Sequence, residues 1–291
     1  MADAPPDDAL AAAYAHCRTL VRAAARAHHL ALLFAPPAAR DGLAALAAFE
    51  VETARLREVV REPMAGEIRL EWWREALAMP AGERTGNPVA DALRATAALW
   101  SLPTAALVAV IDARLFDLYD DPMPTLTDLE GYAGETAGAM IQLAAIVLAG
   151  GEDAGAGALA GHAGVAATIL AVVGGLPRHA ARRQMFLPGD LLARYGVDPE
   201  DVFAGRLTPA VAAALADLRA HARRHLDRLR IGVAGLPPAV VPAFLPLAVA
   251  RPLLDRMEKP GFDPFRRPAE LAPIVAPWRI WRAARNPKKG F

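Results

Sequence analysis

The chain has 291 residues, 54% of them apolar and 22% charged, with 32 Lys+Arg against 32 Asp+Glu. A chain this long and apolar can bury a sizeable core, which excludes a disordered protein, and zero formal net charge gives no bulk attraction to nucleic acid. One cysteine, Cys17, excludes an internal disulfide framework and any multi-cysteine zinc or iron–sulfur centre.

In chain order, residues 1–8 are acidic and proline-rich and are expected to be disordered. They lack the basic-then-apolar layout of a secretory signal and the Arg/Ser bias of a transit peptide. An Asp N-cap signal predicts a helix over 7–29, and Pro36–Pro37 marks the break after it. Helices follow over 38–61, ending before Pro63, and over 67–78, ended by Pro80, then over 88–101, 103–119 and 127–148. The run AGGEDAGAG at 149–157 reads as a loop. An apolar helix over 158–174, a loop-like Phe186-Leu-Pro-Gly189 and a long charged helix over 208–230 come next. The stretch 231–250 holds 20 residues without a charge, long enough for a bilayer span. Pro237, Pro238, Pro242 and Pro246 interrupt it and favour buried core helices instead. No segment alternates long enough for a sheet, and no fixed period repeats. The expectation is one all-α domain over 1–291, with 286–291 as a tail.

Residues 219–291 carry 15 Lys/Arg against 5 Asp/Glu, so the neutral total hides a basic end. Such an end suits either a solvated helix face or contact with an acidic partner or anionic lipid. No Gly-rich phosphate loop, His-Glu-x-x-His helix or nucleophile elbow is present. His221 and His225 lie four apart on one helix, but Arg223, Arg224 and Arg228 around them point to a solvated face rather than a metal pair. Acidic residues at i,i+4 spacing can hold magnesium against a diphosphate. Glu58/Glu62, Glu67/Glu71/Glu75 and Asp117/Asp121 have that spacing, and each is expected to face solvent. The adjacent Trp72 and Trp73 point about 100° apart on a helix, so one faces the core and the other a cavity or interface.

Leu33-Phe-Ala-Pro36, Arg40, the 43–49 helix, Phe49-Glu-Val-Glu-Thr-Ala-Arg55, Gly66-Glu-Ile-Arg-Leu70, Trp72-Trp73-Arg74, YAGETAG at 132–138 and Phe186-Leu-Pro188 occur in one order over nearly the whole chain. As a set they resemble the squalene/phytoene synthase family. The resemblance implies the all-α isoprenoid-synthase fold, a helical bundle around a deep central pocket. Active members join two allylic diphosphates head to head, using magnesium held by two Asp-rich motifs on facing helices.

The sequence departs from the family at those motifs. The first Asp-x-x-x-Asp falls at Ala54 and Glu58, with Arg55 in place of a neighbouring Asp; the second falls at Gly175 and His179, beside Arg178, Arg182 and Arg183. One Glu and several cations cannot provide the oxygen shells that two or three magnesium ions need, although the arginines can bind phosphate directly. A narrower branch reads closer, through Phe49, Glu52 and Ala54, then Val173, Pro177, His179, Arg182, Arg183 and Phe186-Leu-Pro188. Glu50 and Val173 are mild departures from it. That branch resembles the complex I (NADH:ubiquinone oxidoreductase) assembly factor 6 group and its bacterial relatives.

It implies a non-catalytic helper in complex I assembly, with complex I subunits or assembly intermediates as partners, an isoprenoid or quinone-like ligand, and no catalytic or metal residues. Ligand-binding residues are expected at Arg40, Glu52, Arg55, Glu58, Trp72, Trp73, His179, Arg182 and Arg183. No nucleic acid is expected as a partner. The basic end implies a cytoplasmic protein peripheral to an anionic inner membrane. The alternative is an active head-to-head prenyl diphosphate transferase with Mg2+ on a non-standard site, from Glu58 with Glu62 or Asp117 with Asp121.

Overall fold

Cys17 and Val21 share one helical stripe with Ala13, and that stripe seats the first helix on the core. The computed structural model describes residues 8–60 and 62–291, among which there is no strand. Apart from Asp8, which opens the first helix, the segment expected to be disordered lies outside the described residues.

The expected first helix divides into α1 (Asp8–Ala24) and α2 (Arg26–Leu32) at Ala25, whose φ of −134° and ψ of 63° are non-helical. The central helix α3 (Arg40–Ala54) is buried continuously from Gly42 to Phe49. Next come α4 (Leu56–Val59) and α5 (Pro63–Ala78). In α6 (Pro88–Leu99), the Asn87 side chain accepts from the backbone N–H of Val89 and Ala90 while Pro88 occupies the first turn. α7 (Thr104–Ala113) passes into a 3-10 turn over Arg114–Leu118.

The helix expected over 127–148 is three pieces: α8 (Leu126–Ala133), a π turn over Gly134–Gly138, and α9 (Ala139–Leu148). The π turn lies where the chain crosses α10 (Gly157–Ala181) backbone to backbone. A Cβ on Gly164 would stand 2.5 Å from the Gly138 nitrogen. Gly164 therefore has to lack a side chain, whereas a Cβ on Gly138 would meet only a tight 3.2 Å contact with the Ala133 carbonyl oxygen.

α10 runs through Gly174, Gly175 and Pro177 to Ala181, seven residues beyond the end expected from glycine and proline content. Burial of Val172, Val173, Gly175, Leu176 and Ala180 in the bundle outweighs the local helix-breaking preference. Short helices α11 (Gly189–Arg194) and α12 (Pro199–Phe203) lead to α13 (Pro209–Gly232), which packs along α10. The charge-free stretch becomes a 3-10 segment over Pro238–Val249, because Pro242 and Pro246 lack the N–H groups that an α ladder requires. It joins α14 (Ala250–Met257). By length and composition, 157–181 and 238–257 could each cross a membrane; here both contribute buried residues to the core.

α15 (Val275–Arg285) packs on α2 and the 3-10 segment. The expected tail is not free: α16 (Pro287–Gly290) folds back so closely that a Cβ on Gly290 would lie 2.2 Å from the Ala283 Cα, and Phe291 is buried.

Candidate functional site

Helices α2, α3, α9 and α10 and the 3-10 segment surround an apolar cavity of about 190 Å3, lined by Leu43, Leu46, Met140, Ile141, Leu170 and Leu247 among others. Glu50, Ala137 and Ala167 line both this cavity and a second compartment of about 320 Å3, so the two adjoin as floor and mouth. Small side chains on the π turn and on α10 make the junction. Glu50 stands there 3.8 Å from His28 Nε2.

The mouth is cationic. Arg55, Arg57, Arg114, Arg178 and Arg182 line it against Glu50, Glu58 and Asp117. Glu58 is bracketed from both sides, with Arg55 Nε 3.4 Å away and Arg178 Nε 3.5 Å away. The Glu58–Arg178 pair ties the α4 turn to α10 across the opening. Arg57 reaches Asp120 at 3.4 Å. Arg182 lines the mouth with no ion pair among the described residues.

Behind these groups lies a closed polar network. Arg114 donates to Asp117 (3.2 Å) and to the Tyr132 hydroxyl (2.6 Å), and Tyr132 donates onward to Asp117 (2.7 Å). Gln184 donates to the Asp117 backbone carbonyl at 3.0 Å. Burial pushes the Tyr132 phenol well above its ordinary range, so the hydroxyl keeps the proton it donates. Asp117, expected at the surface with Asp121, is therefore buried, because Arg114 and Tyr132 satisfy its carboxylate. Asp121 remains exposed, as does Glu62. Neither pairing in the alternative metal site brings its two carboxylates together in the mouth.

At the positions of the second Asp-rich motif, the His179 ring takes the space above Gly175. A Cβ on Gly175 would meet His179 Cε1 at 2.4 Å. Phe186 packs against the same imidazole with ring centroids 4.7 Å apart. Burial, reinforced by Arg178 and Arg182, lowers the His179 pKa to about 4, so the ring is neutral at physiological pH.

Magnesium does not fit this donor set. Glu58 is held by two arginines and Asp117 by one, and among the described residues no group of three ligating side chains converges in the mouth.

The expected ligand-binding residues separate. Arg55, Glu58, His179 and Arg182 meet in the mouth. Glu52, Trp72 and Trp73 line a different groove, to which Arg55 and Asn87 also contribute. Burial raises the Glu52 pKa there, partly offset by a hydrogen bond with Asn87. Trp73 is buried edge-on against Phe49 at 5.0 Å, while Trp72 is half-buried. Arg40 instead donates to the carbonyls of Ala35 (3.0 Å) and Leu33 (3.3 Å), holding the Pro36 break. Arg183 lies outside the mouth, paired with Glu200 and over the Phe203 ring at 4.5 Å. Sequence reasoning missed Glu50, Arg114 and Gln184. Tyr132 had a signal in the YAGETAG run, but Glu50, Arg114 and Gln184 had none.

The squalene/phytoene synthase family model matches residues 21–282. The chain belongs to the squalene/phytoene synthase family. It is 29% identical to mouse NADH dehydrogenase (ubiquinone) complex I, assembly factor 6, over 91% of this chain and 80% of that one. It is 33% identical to a phytoene synthase of Thermus thermophilus, over 87% and 86% of the two chains. A solved dehydrosqualene synthase in complex with a ligand superposes with a TM-score of 0.82 at 17% identity, covering 98% of this chain and 100% of that one. That likeness establishes the isoprenoid-synthase fold.

Proposed function

We propose that this chain is a non-catalytic member of the squalene/phytoene synthase family that acts in assembly of respiratory complex I. Its channel holds an isoprenoid or quinone-like ligand, and its partners are complex I subunits or assembly intermediates. One observation carries the reading. Where facing helices of an active relative would grip magnesium, the surviving acid Glu58 is bracketed by Arg55 and Arg178, and His179 fills the space above Gly175. Ionising an allylic diphosphate requires charge stabilisation worth several kcal/mol, which bound cations supply and this donor set does not collect. The likeness to assembly factor 6 over most of both chains supports the assembly role. The apolar floor suits a prenyl chain, and Arg182, without an ion pair among the described residues, suits an anionic or carbonyl head group.

The protein works at the cytoplasmic face of the inner membrane. Supporting this, α15 exposes Trp278 and Trp281 with Arg279, Arg282 and Arg285 over their rings, an aromatic and basic surface suited to anionic lipid.

A second reading, an active head-to-head prenyl diphosphate transferase, draws on the 33% identity to the Thermus phytoene synthase. Gene deletion separates the two. Loss of membrane NADH-dehydrogenase activity with squalene and carotenoid content intact is the expected result; the reverse would assign the protein to synthesis.

A further inference from the structure

Glu130 on α8 and His221 and His225 on α13 bring three potential metal-ligating atoms within 4.8 Å of one another. The cluster is separate from the mouth, which Tyr132 of the same helix enters through its contacts with Arg114 and Asp117. Rather than facing solvent, the two histidine side chains are only 13% and 15% exposed. His221 Nε2 is bonded to a Glu130 oxygen, and His225 Nε2 lies 3.5 Å from that same oxygen.

A third histidine completes the arrangement. His162 Nδ1, from α10, lies 3.0 Å from His225 Nδ1. With His225 Nε2 on a metal, its Nδ1 carries the proton and donates it to His162, which fixes tautomer and ring plane as an outer hydrogen-bond partner does in metal sites. The surrounding arginines are less of an obstacle than the sequence implied. Arg223 turns away to Asp255 and Glu258, each at 2.7 Å. Arg224 touches His221 only at Nδ1, the nitrogen facing away from Glu130, and it is exposed and free to swing out.

We infer that Glu130, His221 and His225 form a site for a divalent transition metal of the zinc type, with His162 as the positioning partner of His225. Two imidazoles and one carboxylate are a zinc donor set, and Glu130, 37% exposed, leaves the fourth position to water. A metal there would clamp α8 to α13, both of which pack on α10.

The test uses the full chain stripped with chelator and titrated with Zn2+ and, separately, Co2+. One equivalent of Zn2+ should bind and raise the thermal midpoint by several degrees, and Co2+ should give the intense visible bands of a four-coordinate site. His225→Gln and Glu130→Gln should each lose the Co2+ bands and weaken Zn2+ binding at least tenfold. His162→Gln should weaken binding by roughly tenfold while keeping the bands. Arg224→Ala, which removes the competing cation, should tighten binding, and His16→Gln, at an exposed position of α1, should leave Zn2+ binding unchanged. Circular dichroism identifies any variant that fails to fold, and the Arg224→Ala gain does not depend on the disruptive variants. Absence of stoichiometric binding, or binding unchanged in both the Glu130 and His225 variants, would overturn the proposal.

Discussion

His179 and Gly175 are one unit: the ring sits where any side chain at 175 would have to go. Replacing Gly175 with Asp would not rebuild a metal-binding motif while His179 stays in place. The same burial makes His179 a source of acid sensitivity. Its pKa is about 4 in the folded chain against an ordinary 6.5, so the unfolded state binds the proton more tightly. Stability from the neutral ring is therefore complete above about pH 6.5 and declines as pH falls toward 4. The expected loss is about 2 kcal/mol by pH 5. Urea unfolding of wild type and His179→Gln at pH 7.5 and pH 5 measures it. Wild type should lose about 2 kcal/mol more than the variant, and parallel losses would contradict the assignment.

At the scale of elements, the crossing of the π turn with α10 places the small residues Ala137 and Ala167 at the junction between floor and mouth. Gly164→Ala should push backbone against backbone at Gly138 and cost roughly 1–3 kcal/mol or more, seen as a lowered denaturation midpoint. Gly161→Ala, one turn away with open space around it, should stabilise by up to about 1 kcal/mol through helix propensity. Equal effects from the two would show that the contact does not govern the crossing. α15 makes a separate prediction. Trp278→Ala with Trp281→Ala should reduce sedimentation with vesicles rich in anionic lipid and leave the fold intact, since both side chains are 47% exposed. Unchanged sedimentation would remove α15 from the membrane surface.

The helices were legible where apolar spacing and caps agree, as at Asn87–Pro88 and Thr208–Pro209. Their ends were not where tertiary burial outweighs propensity, as in α10 beyond Gly174, or where a π turn hides inside a helical pattern. The site was legible through motif positions, which place Arg55, Glu58, His179 and Arg182 together. It was not legible for Asp117, whose burial depends on a hydrogen bond to Tyr132, 15 residues away, or for His221 and His225, whose Glu130 neighbour is distant in sequence.

For the whole molecule, an isoprenoid-synthase frame encloses an apolar chamber and lines its opening with arginines. Ion pairs of the Glu58–Arg178 kind are partly exposed and contribute at most about 1 kcal/mol each, so stability alone does not account for them. Their consequence is chemical: with its one motif carboxylate paired to guanidinium groups, the opening presents cations fixed to the protein rather than carboxylates that would bind exchangeable metal. On the proposed reading, such a mouth holds an anionic head without driving its departure. The most direct measurement is incubation of the purified protein with farnesyl and geranylgeranyl diphosphates, Mg2+ and NADPH, followed by product analysis. Both diphosphates should be recovered intact. Release of pyrophosphate together with presqualene diphosphate, squalene or phytoene would contradict the account.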